Sequence, residues 1–221
     1  NSYRPVSTTR EYLYPWTNAW FAGLCSPTLL TPVPPTAATG NTNDLNAAIV
    51  NLFAMHNRVH DFSFHLGFDE ERWNAQEVNT NNPPRQPWNA PGTPSLPLDE
   101  VQGNAQAAAI SGGPPNYGGR DNANMTTRDD GVRSTTNMFL WQPLAGTFYA
   151  PCVDGDYDMS VIGHEYGHMI ENRMIGKGDQ RSGHHAGAMG ESFGDLNGME
   201  YLNEYGVVPV SGENPFSVGP Y

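Results

Sequence analysis

Lysine is all but missing from this chain: Lys177 stands alone beside ten arginines, against 23 acidic residues, for a formal net charge of −12. That balance argues against binding nucleic acid or an anionic membrane surface through charge. Long apolar runs are also missing. None approaches the roughly 20 residues that cross a bilayer, so no membrane span is expected. The opening Asn1-Ser2-Tyr3-Arg4-Pro5 lacks a basic-then-apolar leader, so the expectation is that either no leader existed or it was removed, together with a pro-region. Cysteine is scarce, with only Cys25 and Cys152. They can form one disulfide or lie buried as two free thiols, and spacing does not decide between these. No internal repeat is found. What is plentiful is glycine (24) and proline (19), with many Asn and Thr, a composition that suits a loop-rich secreted, extracellular protein. A length of 221 residues fits one large domain or two small ones.

The stretch that carries chemistry is Val161-Ile162-Gly163-His164-Glu165-Tyr166-Gly167-His168-Met169-Ile170. Positions i and i+4 of a helix share a face, so His164 and His168 can aim at one metal ion. Glu165 is rotated by about 100° from His164, within reach of a metal-activated water without ligating the metal. Two His ligands and a Glu general base form the pattern of zinc proteases. The alternative is a helix with two hydrogen-bonded polar histidines. Downstream, Glu191 and Asp195 share a face if residues 190–205 are helical. Glu191 can complete a two-His, one-Glu site, and Asp195 can accept the outer N–H of a ligating His. Alone, that acidic pair would be an ordinary solvated helix face.

The order of short motifs resembles the fungalysin metallopeptidases, relatives of the thermolysin-like zinc proteases. Asp154-Gly155-Asp156 precedes the His-Glu stretch, Asn172-Arg173 follows it, and Gly187-Ala188-Met189-Gly190-Glu191 runs on to Asp195. Asn51-Leu52-Phe53 to His60-Asp61 also resembles the family, as a structural segment near the catalytic helix. The resemblance covers roughly residues 12–205. It implies an α+β, thermolysin-like zincin fold, and zinc held by His164, His168 and Glu191. It also implies that Asn122-Ala123 lie on an edge strand that pairs with the substrate backbone. One departure is Ser192-Phe193-Gly194, where the family usually has Gly-Trp-Ser. A second is that no Tyr lies between His168 and Glu191 to stabilise an oxyanion. Arg173, His184 and His185 lie there, none assigned. Only 30 residues follow Glu191, too few for the family's C-terminal helical subdomain. The expectation is a segment of a larger enzyme whose further fragment or second chain completes the cleft; the alternative is a natural short relative with a different wall.

Taken in order, Tyr12-Leu13-Tyr14-Pro15-Trp16 reads as a strand or irregular segment packed on the core, and 27–42 as a Pro- and Thr-rich loop. Asn43 or Asp44 reads as the N-cap of a helix over about 45–66, with Leu45, Ile49, Leu52, Phe53, Val59 and Leu66 at helical spacing and Gly67 as the stop. His56 and His60 form a second i, i+4 pair with no evident third ligand, which favours core or interface histidines. Residues 78–119 read as a loop-rich insertion or as short strands with turns, with one small element near Val101–Ile110. Asp129-Asp130-Gly131 reads as a turn between 121–127 and an alternating strand over 136–141. Asp154, Asp156 and Asp158 read as caps and turn formers, with calcium as the other possibility. A helix over about 159–175, a polar linker over 177–187 and a helix over about 189–205 complete the reading, with Leu196, Met199 and Leu202 facing inward. Residues 1–158 form an N-terminal α+β subdomain, and 159–221 hold the zinc-binding helices. The function expected is a zinc endopeptidase acting on proteins or peptides. The other readings are a non-catalytic, zinc-stabilised binding or assembly module and a metallo-hydrolase acting on another bond.

Overall fold

The computed structural model describes residues 3–26, 44–79, 98–147, 151–176 and 183–206. The expected loop at 27–42, the tail and the middle of the 78–119 tract lie largely outside these. The elements are α1 (Ala19–Ala22), α2 (Leu45–His65), β1 (Gln102–Asn104), β2 (Ala123–Thr126), β3 (Thr135–Met138), β4 (Leu140–Trp141), β5 (Val153–Asp154), a 3-10 turn (Gly155–Tyr157), α3 (Met159–Gly176) and α4 (His184–Glu204). This is a mixed α+β structure. No described helix is long and apolar enough to cross a membrane.

α3 is the spine. Tyr166, Met169 and Ile170 pack with Val59 and Phe62 of α2 and with Met125 of β2. One turn nearer its start, Val161 and Ile162 pack with Leu52, Ala123 and Met138. Each such buried side chain contributes roughly 1.5–3 kcal/mol of apolar transfer. The helix starts where Asp158 Oδ1 accepts the Ser160 N–H at 2.8 Å, a side-chain cap that also suits the helix dipole. Asp154 accepts the Asp156 N–H at 3.1 Å and the Gln106 amide at 2.7 Å. Asp156 accepts the Gln106 N–H at 2.8 Å. The three acids are thus turned to N–H donors.

Three strands form a sheet in the order β1-β3-β2, with β1 parallel and β2 antiparallel to β3. β2 is therefore an edge strand, with buried Ala123 and Met125 alternating with exposed Asn124 and Thr126. The Asp129–Gly131 turn is present, with Val132 N–H bonded to the Asp129 carbonyl at 2.9 Å. The expected 136–141 strand is broken instead of continuous. The Phe139 carbonyl accepts the Gly155 N–H at 3.2 Å, and Leu140 and Trp141 pair with β5 in a second sheet. Cys25 and Cys152 are joined in a disulfide, beside buried Trp20 and Leu140.

The C-terminal half of α3 is held by Arg173, which is 1% exposed. Its guanidinium meets Asp99 at 2.7 Å. It also donates to the carbonyls of Asn74 (2.9 Å), Trp73 (3.1 Å), Arg128 (3.1 Å) and Val132 (3.2 Å). One side chain therefore ties the loop after α2, the segment before β1 and the β2–β3 turn to one helix. Burial raises the Asp99 carboxyl, and the Arg173 charge opposes that.

Four expectations need correction. Asp44 sits before α2 at φ 59° without capping it; its carboxylate instead accepts from Thr17 N–H (2.8 Å) and Ala19 N–H (2.9 Å). Phe53 and Leu66 are 70% and 71% exposed, because the buried face of α2 runs through Ala48, Leu52, Val59 and Phe62. The Tyr12–Trp16 segment is irregular and largely exposed, touching the fold where Trp16 stacks on Tyr157 at 5.0 Å. α4 begins at His184, earlier than expected, and its inward face is Gly190, Gly194, Gly198 and Tyr201. Leu196, expected inside, is 55% exposed.

Candidate metal centre

Glycines set the distance between α3 and α4. A Cβ on Gly163 would lie 2.8 Å from the Gly198 Cα, and one on Gly167 would lie 3.0 Å from the Gly194 Cα. The first is closer than carbon atoms approach and the second is at that limit, so the two helices touch backbone to backbone. Asn197 adds a tether, donating to the Gly163 carbonyl at 2.7 Å. This seam delivers the α4 carboxylates to the α3 histidines. No sequence expectation included it, although the spacing of Gly163 and Gly167 against Gly190, Gly194 and Gly198 was the available signal.

The His164 and His168 rings stand edge to face, 4.6 Å between centroids. Glu191 Oε2 lies 3.2 Å from His164 Nε2 and 3.7 Å from His168 Nε2. Asp195 Oδ1 lies 2.8 Å from His164 Nδ1, so a neutral ring donates there and keeps its Nε2 lone pair directed at Glu191. Burial, and then the neighbouring His164, lowers the His168 pKa, which favours the neutral imidazole that ligates metals. Among the described residues, these three form the one His/Cys/Asp/Glu group of metal-holding size, with ligand atoms within 4.8 Å of one another. Tetrahedral zinc with bonds of about 2.0–2.1 Å separates its ligands by roughly 3.3–3.5 Å. The donor set and spacing fit that ion.

Glu165 is 5% exposed, and its Oε2 has no hydrogen-bond partner among the described residues. Burial, and then the Glu191 carboxylate, pushes it up to about 8. A dication between the histidines reverses the second influence. The other pair behaves differently. His56 is buried with Nε2 unpartnered, while His60 Nδ1 pairs with Asp61 at 3.0 Å and its Nε2 faces Gln76 at 3.2 Å. Among the described residues no third ligand joins them.

A groove of about 330 Å³ runs beside the cluster, lined by the β2 edge (Asn122 to Met125), by α3 and by the start of α4. Asn122 and Ala123 therefore lie on the expected side of the site. The Ala123 N–H is held by the Asn122 side-chain oxygen at 2.9 Å. Glu171, buried, also lines the groove and was not foreseen as a groove residue. Arg173 is committed to the core. His184 and His185 are exposed on the first turn of α4, outside the groove lining.

Two imidazoles on one helix, a carboxylate from the next and a buried glutamate beside them have the form of a metallopeptidase centre. The comparison with protein families agrees. The fungalysin metallopeptidase model matches residues 24–220, and the chain belongs to that family. It is 33% identical over 156 residues to an extracellular metalloproteinase of Aspergillus niger, covering 69% of this chain and 21% of that protein. It is 31% identical over 200 residues to one from Pyricularia oryzae, covering 89% of this chain and 25% of that protein. Against the extracellular metalloproteinase of Aspergillus fumigatus it is 29% identical over 199 residues, 89% of this chain and 25% of that protein. The chain thus spans a fifth to a quarter of the length of these relatives.

Proposed function

We propose that the chain carries the metal centre of a zinc-dependent endopeptidase with a thermolysin-like zincin fold. The observation that carries this is Glu165: a buried carboxyl with one oxygen unpartnered among the described residues, beside a cluster of three potential ligands. A purely structural zinc site closes its fourth position with a protein ligand and has no use for such a group. His164, His168 and Glu191 would hold the ion, with Asp195 orienting His164. Zinc there supplies Lewis acidity and a bound water with a pKa near 7. Glu165 Oε2 takes the proton of the attacking water and returns it to the leaving amine. The free edge of β2 supports backbone pairing with an extended substrate at Asn122 and Ala123, whose carbonyl would displace the Asn122 side chain from the Ala123 N–H.

With this reading goes a division of the chain at residue 158 into an α+β part and a zinc-binding helical part. Secretion is part of this reading and is supported by the relatives' printed names as extracellular metalloproteinases; a pro-domain removed on maturation belongs to the same proposal. The outer face of α4 exposes Met189 (62%), Phe193 (37%) and Leu196 (55%), which supports further polypeptide covering it and completing the cleft.

The test is Glu165→Gln. Zinc content should stay at one ion per chain, while casein cleavage falls by about 10²–10⁴-fold. Unchanged cleavage would remove Glu165 from the chemistry. Failure of the unaltered protein to hold zinc would remove the site. Zinc without cleavage by the unaltered protein would point to a non-catalytic module.

A further inference from the structure

Four side-chain amides form one continuous relay across the outer face of the three-stranded sheet. Gln102 Nε2 donates to Asn104 Oδ1 at 3.3 Å. Asn104 Nδ2 donates to Asn137 Oδ1 at 2.9 Å. Asn137 Nδ2 donates to Asn124 Oδ1 at 2.8 Å. The register makes the last two steps direct cross-strand pairs, Asn104 opposite Asn137 and Asn137 opposite Asn124. All donors point the same way, so each bond polarises the next.

The relay ends at the groove. Asn124 belongs to the edge strand and lines the groove beside the metal cluster. Its oxygen is occupied by Asn137. Its amide nitrogen has no acceptor among the described residues and leads the relay off the sheet edge. A substrate strand added to that edge places one side chain beside Asn124 on the same face. The groove lining also carries Glu165, Glu171 and Glu191 and neither Lys nor Arg, so an acidic acceptor is disfavoured there. A neutral carboxamide both accepts from Asn124 and continues the ladder.

We infer that Asn124 is a specificity-determining residue that selects Asn or Gln in the substrate position paired with it, with Asn137 and Asn104 as positioning residues. This rests on the peptidase reading above and on substrate pairing with β2. The test is cleavage of a peptide library by the full-length, zinc-loaded protein and by its Asn124→Leu and Asn137→Val variants, with thermal melts confirming that each is folded. One substrate position should favour Asn or Gln over Leu by about three- to tenfold, the worth of one hydrogen bond. Asn124→Leu should abolish that preference, and Asn137→Val should weaken it. A profile without carboxamide selection, or one that survives Asn124→Leu, would overturn the inference. If the unaltered protein cleaves nothing, the peptidase reading fails separately. The ladder is then decided by the affinity of Asn- against Leu-bearing peptides for the zinc-loaded protein, with the same two outcomes.

Discussion

The two halves of α3 treat buried charge in opposite ways. Toward the C-terminus, Arg173 and Asp99 are 1% and 0% exposed, and their side chains are surrounded by partners. Toward the N-terminus, Glu165 is nearly as buried, yet one oxygen has no partner among the described residues, and burial, then a second carboxylate, raises its pKa. A saturated buried charge specifies packing. An unsaturated one, set beside open ligands, marks where chemistry is placed. The same helix provides both, and the rigid half fixes the geometry of the reactive half.

The most damaging way to break this contrast is Arg173→Met. It leaves Asp99 buried without its counter-charge and several carbonyls without donors, at a cost of about 3–5 kcal/mol. Chemical denaturation should show that loss, and the double variant Arg173→Met, Asp99→Leu should recover part of it. A change under 1 kcal/mol would mean that the half called rigid is not.

His56 sharpens the contrast, since it has an unpartnered buried nitrogen and no chemistry. Burial lowers its pKa from 6.5 to about 4. The unfolded chain therefore binds a proton in that window and the native state does not. Stability is intact above pH 6.5 and falls as pH drops toward 4, by at most about 3 kcal/mol. His56→Leu should flatten this slope in urea titrations between pH 4 and 6.5. An unchanged slope would assign the acid sensitivity to other groups.

What was legible in the sequence followed from short-range geometry. His164, Glu165 and His168 needed only the 3.6-residue period, and α2 and α3 only their apolar spacing and stops. What was illegible came from long-range contacts. Gly187 and the paired His184-His185 look like linker, since a glycine costs a helix interior about 1 kcal/mol. α4 runs through them all the same, and it is farther along, at Gly194 and Gly198, that only glycine lets it approach α3. The same fact turned Leu196 outward against the rule that large apolar residues face in. β1 (Gln102-Gly103-Asn104) has no strand composition, and it exists because β3 lies beside it. Whether Cys25 met Cys152, 127 residues away, was likewise not a local question.

Gly198→Ala probes the seam. Its new Cβ would lie 2.6 Å from the Ser160 carbonyl oxygen, so the helices must separate. A cost of about 1–3 kcal/mol is expected, with weaker zinc binding, because Glu191 moves away from the histidines. Melting temperature and zinc affinity should fall together. If stability drops while zinc affinity holds, the seam supports α4 without setting the site.

The smallest expected effect belongs to Asp195→Ala. Asp195 is more than half exposed, so its removal leaves the fold unchanged, and only the His164 Nδ1 contact at 2.8 Å is lost. Freed from it, the ring can rotate or take the other tautomer, and zinc affinity should fall about 10–100-fold. Asp195→Asn retains an oxygen acceptor and should recover part of that loss, which a purely steric role would not distinguish. Competition with a chelator measures both variants. Equal affinities for Asp195→Ala and the unaltered protein would show that Asp195 does not orient His164 and that the seam alone positions the ligands.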